Sequence, residues 1–179
     1  MTLPWDELNN LRARIESVKT AVGYDTERVT DIIYDYLVYS YVMGVDNVNE
    51  SLSASIKPND REMRESINKK IAGKDYKQRI AEYAQTGDIE SIMRVAETDA
   101  HRVMEESSLS TAKKSGAKYK VWHTMEDPLV RDEHVPLDKA KVPITDKFVT
   151  WDGYMTDRPG NFGVPELDIN CRCYLTFTF

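Results

Sequence analysis

The side chains of this 179-residue sequence best suited to chemistry are its two cysteines and three histidines. Cys171 and Cys173 stand one residue apart in "INCRCYLTFTF". If that stretch is a strand, alternation puts Cys171, Cys173, Leu175, Phe177 and Phe179 on one face. Asn170, Arg172, Tyr174, Thr176 and Thr178 fall on the other. Both cysteines then belong to an apolar face, where a free thiol behaves as a small hydrophobe. A disulfide between them is disfavoured, because same-face neighbours on a strand lie about 6.5–7 Å apart, against the roughly 5.5–6 Å a disulfide spans. Zinc is the sharper alternative: two thiolates could join His134 and a carboxylate such as Asp127 or Asp132. An i, i+2 pair with one remote histidine is a sparse ligand set, and nothing marks either thiol as an activated nucleophile for a Cys–His pair. The expectation is therefore a reduced, buried, metal-free pair. His101 follows Glu97 by four residues, which an ordinary helical pair explains. His123, between Trp122 and Thr124, has no evident partner.

The elements that must position these residues change character along the chain. Pro4 suits a first helical position, with Asp6 and Glu7 at the positive end of the helix dipole. Leu8, Leu11, Ile15, Val18 and Val22 form a narrow seam, either internal or for a partner helix. A second helix starts near Asp25 or Thr26 and runs through "VTDIIYDYLVYSYVMGV". Its apolar and tyrosine residues cover more than one stripe, which favours burial in the chain's own fold over a subunit interface. Met63, Ile67 and Ile71 share a helix face that Gly73 closes as a left-handed cap. Asp75 caps a segment carrying Tyr76, Ile80 and Tyr83 that ends near Gly87. Asp88 caps a longer helix with Ile89, Ile92, Ala96, Val103 and Met104 inward, running to Gly116. Beyond Gly116 no helical period persists. "KYKVWHTM" and "CRCYLTFTF" read as strands joined by turn-rich segments such as "TDRPGNFG". The fold class is α+β: a helical region over residues 1–116, then a small β-rich module over 117–179.

Bulk properties narrow the function. The net charge is −6, whereas a dedicated nucleic-acid binder usually carries a basic footprint. Local basic runs exist, notably Lys113, Lys114, Lys118 and Lys120, candidate DNA contacts that more often are solvated helix ends. No apolar run approaches the roughly 20 residues that span a bilayer, and the N-terminus lacks a basic signal region, so synthesis in a cytoplasm is expected.

The C-terminal residues resemble the phage Mu F-like head morphogenesis family, the minor head proteins of tailed bacteriophages. The likeness begins near residue 65 and runs through "ETDAHRV", "KYKVWHTMEDPLVRDEHVPLD", "KVPITDKF", "RPGNFG" and "PELDINCRC", in family order. The motif positions are Trp122, Asp127, Val130, Arg131, His134, Leu137, Asp138, Val142, Pro143, Pro159, Gly160, Asn170, Cys171, Arg172 and Cys173. Two departures stand out. Lys139 replaces the glycine of Leu-Asp-Gly, so that turn cannot rely on glycine's free φ. Some members carry a Cys-x-x-Cys pair and a later histidine that look like zinc ligands. Here those positions are Arg131, His134 and Asp168, which favours a hydrogen-bonded version in which Asp127, Arg131, His134 and Asp168 tie the turns to the last strand.

The resemblance implies a non-enzymatic structural protein of the virion, inside the head at the portal vertex. Its implied partners are the portal protein, the major capsid or scaffold protein, and packaged DNA, with no membrane. Some relatives add a toxin domain after this module, for which the residues beyond Cys173 leave no room. Two other readings are a DNA-associated head protein ejected with the genome, using Lys113–Lys120, and a small zinc-dependent hydrolase built on His134, Cys171 and Cys173.

Overall fold

The computed structural model describes residues 5–179. Pro4, expected at the first helical position, lies outside the described residues. Five helices precede the sheet: α1 (Trp5–Glu16), α2 (Thr26–Leu52), α3 (Asp60–Ile67), α4 (Tyr76–Ala84) and α5 (Ile89–Lys114). The punctuation is local chemistry. Asp25, Asn59, Asp75 and Asp88 each accept a hydrogen bond from a backbone N–H of the helix they precede. Asp75 does so in a full capping box with Gln78, satisfying two donors that a helix start leaves free. No helix among the described residues is long and apolar enough to cross a membrane.

Helices α2 and α5 pack along much of their length. A glycine permits a close approach between them: a Cβ on Gly44 would lie 2.1 Å from Ser107 Oγ and 2.3 Å from Met104 O. The seam on α1 turns inward. Leu11, Ile15 and Val18 are buried in the same core as Val29, Ile33, Tyr36, Leu37 and Tyr41 of α2 and Ile92, Ala96 and Val103 of α5. The seam is therefore internal, not a contact for a partner helix. Val22 does not belong to it: α1 stops at Glu16, and Val22 sits in the following turn, 85% exposed. Gly73 also differs from expectation. Helix α3 ends at Ile67, and Ala72 (φ 50°) with Gly73 (φ 80°) forms the tip of a tight hairpin closed by Ile71–Lys74 backbone bonds. Paired positive φ values fit a two-residue turn rather than a helix cap.

The C-terminal part holds five short strands: β1 (Tyr119–His123), β2 (Lys141–Pro143), β3 (Phe148–Val149), β4 (Met155–Thr156) and β5 (Tyr174–Thr178). A short helix, α6 (Pro165–Asp168), precedes the cysteines. β1 is central in an antiparallel sheet of order β2–β1–β5, and β3–β4 form a separate hairpin. The register sets Trp122 opposite Leu175 and Lys120 opposite Phe177, and all four side chains are buried. Their core also takes Phe148 and Leu137, with Val48 from α2 and Leu109 and Ala112 from α5. The two central helices therefore extend from the first core into the second.

Candidate functional site

The site builds outward from Trp122. Strand parity aims its indole inward, where it meets Phe148 edge-on at 5.1 Å and His134 edge-on at 5.7 Å. Phe162 stacks on the His134 ring at 5.3 Å and also packs against Trp122 at 6.0 Å, so the three rings form one cluster. A single turn of 3-10 helix, Val135–Leu137, follows His134 and buries the imidazole to 1% exposure. Held this way, His134 Nδ1 faces both thiols, 3.6 Å from Cys173 Sγ and 3.8 Å from Cys171 Sγ. The ring's other nitrogen is buried without a partner.

Cys171 and Cys173 are free thiols. They lie just before β5 rather than in it, and their side chains still keep the inward parity of Leu175 and Phe177. Phe179, expected on that face, is 63% exposed because the strand ends at Thr178. The two thiols are electrically unequal. A hydrogen bond with Cys173 and burial raise the Cys171 pKa, whereas the bond from Cys171 lowers that of Cys173. Trp122 Nε1 has no partner in hydrogen-bonding geometry, yet its N–H points close enough to Cys173 to favour the thiolate.

A shell of motif residues holds this centre. Arg172 donates to both oxygens of Asp127, each at 2.7 Å, tying the "DPLVRDEH" turn to the terminal segment. Arg131 donates to the Ile169 carbonyl. Asp168 accepts from Phe162 N and Gly163 N, fixing the "RPGNFG" turn. Asp138 accepts from both the backbone and the hydroxyl of Thr124, and the backbone bond holds its carboxyl below the usual range. Asn170 sits at φ 56°, a left-handed conformation that asparagine tolerates better than most residues. Lys139 adopts φ 63° despite its side chain. Its N–H donates to Trp122 O at 2.8 Å and its ammonium meets Glu126 at 2.8 Å, contacts that offset the strain.

Several expectations need correction. Asp127 is engaged with Arg172, not directed at the thiols, and the candidate ligand group contains no carboxylate. His101 makes no pair with Glu97. Its Nε2 donates to the Cys173 carbonyl at 2.7 Å, and desolvation lowers its pKa to about 4. Of the four proposed DNA-contacting lysines, three are exposed and one is not. Lys120 is fully buried, with its ammonium on Asp157 O at 2.6 Å and burial lowering its pKa to about 8. Lys114 is bound to Glu62, and Lys113 and Lys118 are exposed.

Two features escaped sequence reasoning. Glu105 of α5 is 3% exposed and accepts the Leu175 N–H at 3.2 Å. Burial pushes its pKa up to about 8. Next to it, Glu106 accepts from Arg158 at 2.9 Å and Arg102 at 3.4 Å, and Arg102 also pairs with the buried Asp99. This charged chain fastens the C-terminal module to α5.

The described residues form a helical bundle carrying a small antiparallel sheet, closed by an Asn-Cys-Arg-Cys segment over a buried histidine. The chain belongs to the Phage Mu protein F like family, whose model matches residues 60–176. The match begins at α3 and ends inside β5. It makes the chain a phage head morphogenesis protein of a structural family. No curated protein and no solved structure matches the chain.

Proposed function

We propose that this protein is a structural minor head protein, acting without catalysis inside the virion head at the portal vertex, where it binds the portal protein and the capsid interior. The family match over residues 60–176 carries the reading. The surface geometry supports it. The apolar seam of α1 is consumed by the protein's own core, so partner contacts must fall elsewhere. In the β3–β4 hairpin, Phe148 and Thr156 pair inward while Val149 and Met155 pair outward, 54% and 56% exposed. Trp151 at the tip is 71% exposed, beside Tyr154. An outward apolar pair crowned by an aromatic residue contributes little to this fold and suits an interface core.

The test is co-expression with the portal protein of the same phage, followed by size exclusion at moderate salt. A complex should form, and Trp151→Asp with Met155→Asp should abolish it while leaving circular dichroism unchanged. A folded wild-type chain that ignores portal and capsid proteins, yet binds DNA with steep salt dependence, would overturn the proposal.

A further inference from the structure

We propose that His134, Cys171 and Cys173 form a binding site for one zinc-class cation, with two sulfur donors and one nitrogen donor from the protein and a water as fourth ligand. The alternation of the final segment shows both sulfurs facing inward but cannot show what they face. In the fold they meet an imidazole nitrogen, and the three donor atoms all lie within 4.8 Å of one another. Tetrahedral zinc has bonds of about 2.3 Å to sulfur and about 2.0–2.1 Å to nitrogen, which separates bound sulfur from bound nitrogen by about 3.5 Å. The observed separations are 3.6 and 3.8 Å. The donors thus stand close to ligand spacing, and the aromatic clamp of Trp122 and Phe162 fixes the imidazole.

The fourth corner has a natural occupant. A gap of about 10 Å³ abuts His134 and Cys173 and is bordered by Met125, Arg131 and Asn170. That is close to the smallest space that holds one water. A space of that size suits a water, and the ion's role would be to fasten the His134 turn to the terminal segment. Binding a divalent ion to two thiols and a neutral imidazole releases two protons to solvent and leaves a neutral centre, which a buried site requires.

The chain has only these two cysteines, which makes the test clean. The full chain, produced without a histidine tag and stripped of metal under reducing conditions, is titrated with cadmium. A thiolate-to-metal charge-transfer band should saturate at one ion per chain. Zinc at a hundredfold excess over Kd should raise Tm by about 5–10 °C. Magnesium should do neither. Cys171→Ser and His134→Asn, checked for folding by circular dichroism, should each weaken binding at least tenfold. The wild-type titration alone decides the matter if a variant fails to fold. Absence of a saturable band, saturation at half an ion per chain, or full affinity in folded His134→Asn would each overturn the site.

Discussion

Glu105 offers a quantitative check on the contact between α5 and the last strand. Its carboxyl is buried, accepts Leu175 N–H at 3.2 Å, and has its pKa pushed by burial up to about 8. In the unfolded chain a glutamate titrates near 4.3. Because the folded pKa is the higher one, the folded state holds the extra proton between these values. The associated stability is fully present below about pH 4.3 and is lost as pH rises through about 8. Between pH 6.5 and 8 the unfolded chain carries essentially no proton here, so integrating the linkage slope gives a loss of about 2 kcal/mol. For a chain of this size that is a Tm decrease of about 4–8 °C. Glu105→Gln keeps an acceptor for Leu175 N–H and removes the titration. The measurement is Tm against pH for both proteins. The wild type should fall relative to the variant as pH rises from 6.5 to 8. His101, whose depressed pKa places its own loss of stability on the acid side between about 6.5 and 4, is present in both and cancels. Parallel curves across this window would show that Glu105 is already ionised at pH 6.5 and that burial does not hold the proton on its carboxyl.

Two further substitutions probe the packing. Gly44→Ala would drive a methyl into Ser107 Oγ and the Met104 carbonyl at the α2–α5 crossing; thermal unfolding should show a loss of about 1–3 kcal/mol, and an unchanged Tm would mean the helices are not in contact there. Arg158→Ala removes a guanidinium 5% exposed that bridges Glu106 and Asp157; the cost should be about 3 kcal/mol, at the low end for a buried pair because Glu106 keeps a third of its surface in water.

The helical half was legible because its signals are local. Asp25, Asp75 and Asp88 each announce a helix start within a few residues, and the structure places all three as caps. Gly73 misled because a glycine after an apolar run fits a helix cap and a hairpin turn equally; the deciding fact, the positive φ of Ala72, belongs to its neighbour. Lys120 was readable and was misjudged. Two residues from Trp122 on one strand, it had to share the buried face, and charge clustering distracted from parity. His134 meets thiols 37 and 39 residues away through two turns and a 3-10 helix. No local period encodes that approach, so the sequence offered His134 only as a remote partner for two thiols that the structure does place in the core.

The same long-range logic explains how the two parts of the chain act together. His101 lies about one turn before the adjacent Glu105 and Glu106 on α5, and each grips a different point of the C-terminal module: Cys173 O, Leu175 N and Arg158. The two backbone points flank Tyr174, at the start of β5. α5 therefore holds the segment that immediately follows the thiols, while its C-terminal residues Leu109 and Ala112 floor the core that the thiols complete. Anything that orders His134, Cys171 and Cys173 must also order the backbone that α5 grips. The β3–β4 hairpin meets this core through Phe148 and turns Val149 and Met155 the other way. One side of the module is thus fixed to the bundle by charge and hydrogen bonds, and the outward apolar face is the docking surface proposed above.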